Sequence, residues 1–344
     1  MTEAFFPLVG PLVVFFVVLP LTAALAKLVL LGVGRFSAEG ASLHDRQRLR
    51  YLLLVASSGV PLAWFISASV HQAESGFTAT VCTVDHAPGA SCDEPALFAV
   101  ALITLVGALL IPRLLRGYRA VRPSTSPAAE RVATRLAALV RSRPSLARLQ
   151  GRLITCDTLH SPIATVGIFS PAVAVRSSFA SALDDDALVA ALHHELEHVR
   201  ARDPLRYLAI SFAVAVNPLG RWILGGELSR WILARETHCD REAVLGGASS
   251  PALAHALVTA ARAPMPALLT VGLGSTGALG LKLRVDLLMA YSDRLPRHCC
   301  GEPALRIALL LMAVAFALPH GSGTDALDMV HIASESTLAL ITGR

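Results

Sequence analysis

The sequence predicts a mainly α-helical membrane protein with about four transmembrane helices, a re-entrant hairpin and a small α+β domain on the cytoplasmic side. Three observations predict it. Over 344 residues the chain is 54% hydrophobic and only 16% charged, with a mean hydropathy of +0.58, too apolar for an ordinary soluble domain. Several uncharged stretches are long enough to cross a hydrocarbon core of about 30 Å. Lys and Arg are unevenly shared between the segments that join those stretches, and that bias orients a membrane chain.

The expected spans are Phe5–Leu31, Tyr51–Val70, Ala96–Leu115 and a shorter fourth, Pro303–Leu318. The first reads as a retained anchor, because the residues before it, MTEA, carry Glu3 where a cleavable signal has Lys or Arg. Arg35, Arg46, Arg48 and Arg50 follow the first span, and Arg116, Arg119 and Arg122 follow the third. The loop between spans two and three has neither Lys nor Arg, so the positive-inside rule places it outside and the basic segments in the cytoplasm. Juxtamembrane Arg beside anionic lipid accounts for the net charge of +5 and pI of about 9.1, so direct nucleic-acid binding is not expected. Cys82 and Cys92 fall in the outer loop and are a candidate disulfide on compartment grounds, the alternative being two unrelated thiols. Cys156, Cys239, Cys299 and Cys300 fall inside as reduced thiols.

Three regions follow: an N-terminal three-span region over 1–120, a cytoplasmic domain over 121–300 and a final helix with a short outer tail over 301–344. RPSTSPAAE marks the exit from the third span. A basic amphipathic helix is expected over 128–141, then three β-like runs, Arg152–Cys156, Ile163–Phe169 and Ala172–Arg176, forming a small sheet. An edge strand of that sheet either holds an extended peptide by its backbone or only supports the helix that follows. DDDALVAALHHELEHVRARDP reads as one helix, with Asp184, Asp185 and Asp186 at the positive end of its dipole and Arg200 and Arg202 at the other. LRYLAISFAVAVNPLGRWIL is long enough to span, but Asn217-Pro218-Leu219-Gly220 is a turn signal at its centre, so two short helices dipping into the membrane over 205–233 are expected.

Inside the capped helix stands H-E-x-x-H, His194 to His198. Residues i and i+4 share a helix face, so two imidazoles can meet one metal ion, and Glu195 falls beside it, where a carboxylate takes a proton from a zinc-bound water. A catalytic zinc needs a third protein ligand. In the gluzincin arrangement that ligand is a Glu from a later helix, and an Asp one turn on holds a ligand His by its other ring nitrogen. Glu236 and Asp240 fit those two roles; taken alone, their stretch also reads as a solvated charged face.

HELEHVRARDP, NPLGRW and ETHCD, in that order, resemble the BlaR/MecR family of membrane gluzincins, antibiotic-sensor metallopeptidases. HSPIATVGIFSPAVAV is similar to the family's segment before the catalytic helix, matching at Ser161, Pro162, Gly167 and Pro171. The resemblance covers about residues 95 to 290; HtpX-like and CAAX-protease families share the zinc logic more distantly. It implies a gluzincin-like zinc peptidase domain with one Zn2+ per chain, His194, His198 and Glu236 as ligands, Glu195 as the base and Asp240 orienting a ligand. It also implies a multi-pass protein of the bacterial inner membrane whose protein substrate is a transcriptional repressor of winged-helix type. The family's antibiotic sensors carry an extracellular penicillin-binding domain after the last span, whereas the residues after Pro319 contain no S-x-x-K motif, so direct β-lactam sensing is not expected. Two alternatives remain open: a membrane quality-control protease, and a non-catalytic signalling or metal-binding membrane protein. Glu195 speaks against the second, since a structural zinc site has no use for an adjacent base.

Overall fold

Among the described residues helices predominate, joined by one small sheet. The computed structural model describes residues 14–36, 43–74, a few positions between 104 and 112, 123–159, 161–262 and 277–291. The first described element is a π-helical turn, Val14–Val18, running into α1 (Leu19–Phe36). Pro20, which has no amide hydrogen to give to the preceding turn, stands directly after the π-helical turn. Then come α2 (Leu43–Glu74), α3 (Pro127–Ser142), a 3-10 turn (Pro144–Leu149), β1 (Leu153–Thr155), β2 (Ile163–Val166) and β3 (Ala172–Val175). They are followed by α4 (Ser177–Ala182), α5 (Asp185–Ala201), α6 (Asp203–Val216), α7 (Gly220–Leu245), α8 (Ser250–Arg262) and α9 (Gly277–Tyr291).

Among the described residues one helix is long and apolar enough to cross a membrane, Val14–Gly32, which covers most of the first expected span. The second expected span lies inside α2, which begins at Leu43. The third lies for the most part, and the fourth wholly, outside the described residues, as do Cys82 and Cys92.

The sheet has the order β1-β3-β2, with β1 parallel and β2 antiparallel to β3. Its strands are the three expected runs, each shortened. β2 stops at Gly167, whose φ of +88° is open to glycine and whose added Cβ would lie 2.6 Å from the Ser170 carbonyl oxygen. The sheet, α3, α5, α8 and α9 enclose one core, in which Leu136, Leu146, Ile163, Val173, Leu188, Leu192 and Leu257 are buried. On α3 the buried Val132, Leu136 and Val140 recur at i, i+4, i+8, which is why the expected amphipathic helix forms.

A second core joins α1, α2, α6 and α7 through Ala23, Leu54, Ile210, Val214, Leu224 and Trp231. Pro61 in α2 leaves the Ser57 carbonyl without its helical donor, and Thr22 Oγ1 of α1 donates to it at 2.5 Å. Ser58 Oγ donates to the Ala213 carbonyl at 2.7 Å, and Asn217 Nδ2 to that of Leu19 at 2.7 Å. The turn at Asn217 is where the sequence puts it: Asn217 Oδ1 accepts from the Leu219 amide at 3.0 Å, and a Cβ on Gly220 would lie 2.4 Å from the Val214 carbonyl oxygen. The arms correct the expectation of two short helices over 205–233. The first has 14 residues and the second runs 26, unbroken, from Gly220 past Glu236 to Leu245. Gly225 and Gly226 do not interrupt it, because the packed faces at Leu224 and Trp231 hold the helix through them.

Candidate metal centre

The site is built where α5 crosses α7. Asp184 caps α5 by accepting the Ala187 amide at 2.7 Å, and Asp185 and Asp186 occupy its first turn. From Ala187 to Leu196 every residue of α5 is buried, so the His-Glu motif is sunk in the core and no solvated face. The helix ends at Arg202, a left-handed residue with φ 53° and ψ 45°, a conformation costing a non-glycine roughly 1–2 kcal/mol. The sharp reversal starts α6 at Asp203 and folds that carboxylate back onto the helix just left.

His194 and His198 present their Nε2 atoms to each other at 3.1 Å. Glu236, fully buried on α7, brings Oε2 to 3.5 Å from His194 Nε2 and Oε1 to 3.6 Å from His198 Nε2. Neither Glu236 oxygen has a well-aligned hydrogen-bond donor, and the three buried groups converge. These three residues could hold a metal ion. Each imidazole is gripped from behind. His198 Nδ1 lies 2.6 Å from Asp203 Oδ2, and His194 Nδ1 lies 2.8 Å from Asp240 Oδ1, close enough for an ion pair but out of line for a good hydrogen bond. Such outer carboxylates set the ring orientation and make the facing nitrogen a better donor to a metal.

Two arginines balance the buried acids. Arg235 Nε donates to Asp203 Oδ2 at 2.5 Å, and its Nη2 donates to the Glu197 carbonyl at 2.9 Å, tying α7 to α5. Arg284, fully buried on α9, forks onto Asp240 through Nε at 2.7 Å and Nη2 at 2.8 Å, while Nη1 lies 3.0 Å from Glu236 Oε2. The electrostatics follow. Burial alone pushes Asp240 up, but the Arg284 charge and fork, with His194, hold it down at about 2. Burial likewise raises Glu236 and Asp203, yet Arg284 with the two imidazoles lowers Glu236, and His198 with Arg235 lowers Asp203. Burial opposes a charge on both histidines; the surrounding acids and Cys239 nonetheless put His198 well above the ordinary imidazole range, and Asp240 and Glu236 raise His194.

Glu195, also buried, turns its carboxylate towards β2. Thr165 Oγ1 donates to Glu195 Oε2 at 2.8 Å, and Oε1 is buried without a partner. A second donor group, His198, Asp203 and Cys239, is also close enough to share an ion, with Cys239 Sγ 3.7 Å from His198 Nδ1. Each group borders a guanidinium, Arg235 on Asp203 and Arg284 on Glu236. Burial raises the Cys239 thiol, which fits an inert packing role.

Four of the five residues expected in the site lie together, His194, His198, Glu236 and Asp240, while the Glu195 carboxylate, next to His194 in the chain, is bonded to Thr165. Sequence reasoning gave no role in the site to Arg235, Arg284 or Thr165, and Asp203 entered only as the Asp of HELEHVRARDP, ending one helix or beginning the next. Asp203 had a usable signal, an acid at the N-terminus of a helix and five residues after His198. Arg284 had a fainter one, a guanidinium in the mainly apolar helix GALGLKLRVDLLMAY, whose other charges are Lys282 and Asp286. Compared with protein-family models, with curated proteins and with solved structures, the chain matches none.

Proposed function

We propose that this chain is an integral membrane zinc endopeptidase. The convergence of His194, His198 and Glu236 carries the reading: ligand bonds of about 2.0–2.2 Å in a tetrahedron separate neighbouring donors by roughly 3.3 Å, and the three separations here are 3.1, 3.5 and 3.6 Å. Two neutral imidazoles and one carboxylate are the donor set of a catalytic zinc, which keeps an open position, whereas a structural zinc is closed by four protein ligands. A zinc held by these three residues would supply a Lewis acid for a peptide carbonyl and would lower the pKa of a bound water to about 7. Glu195, the chain neighbour of His194 with Oε1 unpartnered, would take the proton of the attacking water and return it to the leaving amine. Asp203 and Asp240 hold the rings, and the arginines keep both acids ionised.

The peptide has a berth. The Arg176 amide bonds the Pro162 carbonyl at 2.9 Å, so Pro162, Ala164 and Val166 turn their backbone groups towards β3. The amide and carbonyl of Thr165 consequently face the outer edge of β2, against which no further strand pairs among the described residues. An extended substrate laid along that edge passes over Glu195.

Membrane residence is supported by α1 and the π-helical turn before it, which expose Phe16, Leu21, Leu25 and Leu28 while burying Ala23, Ala26 and Leu30, and by Trp222, exposed at the tip of the hairpin. With the basic segments after spans one and three, this favours a multi-pass arrangement in a bacterial inner membrane with the site on the cytoplasmic side. The substrate is then a cytoplasmic or membrane-proximal protein, and the resemblance to BlaR/MecR peptidases makes a winged-helix repressor the specific proposal. Labelling of a cysteine placed at Ser124 by an impermeant reagent in whole cells would refute the orientation. For the chemistry, Glu195→Gln should keep zinc and lose cleavage of casein, and Glu236→Ala should lose both. Wild-type cleavage by Glu195→Gln would defeat the enzyme reading and leave a structural metal site.

A further inference from the structure

The general base is held by a residue outside its own helix. Thr165 Oγ1 lies 2.8 Å from Glu195 Oε2 and 3.2 Å from the Glu195 carbonyl oxygen. A hydroxyl has one proton, and an ionised carboxylate takes it in preference to a neutral carbonyl. The donation therefore falls on Oε2. Glu195 Oε1 then has no partner and no solvent. A carboxylate with one oxygen tied resists turning about its terminal bond, so Oε1 stays the oxygen left without a partner. Threonine suits the place: its β-branch belongs in a strand, and no other side chain of β2 bears a hydroxyl.

We propose that Thr165 is a positioning residue that fixes Glu195 with Oε1 forward, and that it links substrate seating to the base. Its backbone faces the strand edge while its hydroxyl holds the carboxylate. This rests on Glu195 acting as the base.

The test uses the full-length protein in detergent, with casein as substrate. Thr165→Val keeps the shape and the strand preference and removes the donor. Zinc content should equal wild type, kcat should fall about 10- to 100-fold, as loss of catalytic-group alignment does, and KM should stay within about twofold. Thr165→Ser should restore kcat. A second readout needs no activity: in metal-free protein, Thr165→Val should lower the Tm, and the drop should vanish when Glu195 is already Ala. If Val distorts β2, Thr165→Ala carries the same expectations. Wild-type kcat in both Val and Ala variants, or an equal Tm drop with and without the Glu195 carboxylate, overturns the inference. Casein cleavage by Glu195→Gln would instead overturn the reading on which it rests.

Discussion

The two halves of α7 are buried for different reasons. From Gly220 to Trp231 the helix packs against α1, α2 and α6 through Leu224 and Trp231, and the Trp231 ring meets Tyr207 edge-on at 4.9 Å and Tyr51 at 5.9 Å. From Ala234 to Asp240 it buries Arg235, Glu236, Cys239 and Asp240 in succession. Apolar contact holds the first half. In the second, charges removed from water persist because each faces an opposite charge: Arg235 on Asp203, Arg284 on Asp240 and Glu236, and both imidazoles on acids. Such an arrangement contributes little net stability over an apolar core, but breaking any member is costly. A helix can thus be anchored by its cheap half so that its expensive half meets α5 in register.

The sharpest way to break the second half is Arg284→Met. It leaves Asp240 and Glu236 buried without their cation, and removing one partner of a buried pair costs about 3–5 kcal/mol. Denaturant unfolding of the metal-free variant should show a loss of that size, and zinc should bind poorly because Asp240 no longer orients His194. Retention of both wild-type stability and zinc content would mean that Arg284 is a bystander.

Asp203→Asn should do less. The side chain stays in place, but the charge that orients His198 and balances Arg235 is gone. Loss of such an outer partner lowers metal affinity about 10- to 100-fold. Competition with a chromogenic chelator would measure it. An unchanged affinity would show that the α5–α6 reversal alone, pinned by Arg202, fixes the ring.

The sequence disclosed the half of the site that helical geometry writes at short range. His194, His198 and Glu195 share one helix, and Glu236 and Asp240 share another, so i, i+4 spacing carried both pairs. Thr165, Asp203, Arg235 and Arg284 were opaque because their roles depend on which elements meet, and that is decided by packing. Arg284 lies 44 residues from the Asp240 it grips, on a helix with no other mark of function. The hairpin shows the same limit. Its turn was legible at Asn217 to Gly220, where side-chain and glycine chemistry is local, but the length of α7 was not, since tertiary contacts carry it through two glycines.

The smallest expected effect falls in the first half of α7. Glu227 is buried between Arg50, whose Nε lies 3.2 Å from Oε2, and Arg230 on its own helix. It is the bundle's nearest counterpart to the acids of the site, but its cations are open to water, Arg50 at 22% and Arg230 at 60% side-chain exposure. Solvent and salt screen such partners, and pairs of this kind contribute about 0–1 kcal/mol. Glu227→Gln keeps the volume and one acceptor, so unfolding should shift by no more than about 1 kcal/mol, with zinc content and casein cleavage unchanged. If Glu227→Gln instead lost zinc, the two halves would form one electrostatic unit, and the bundle could not be described as an apolar anchor for the site.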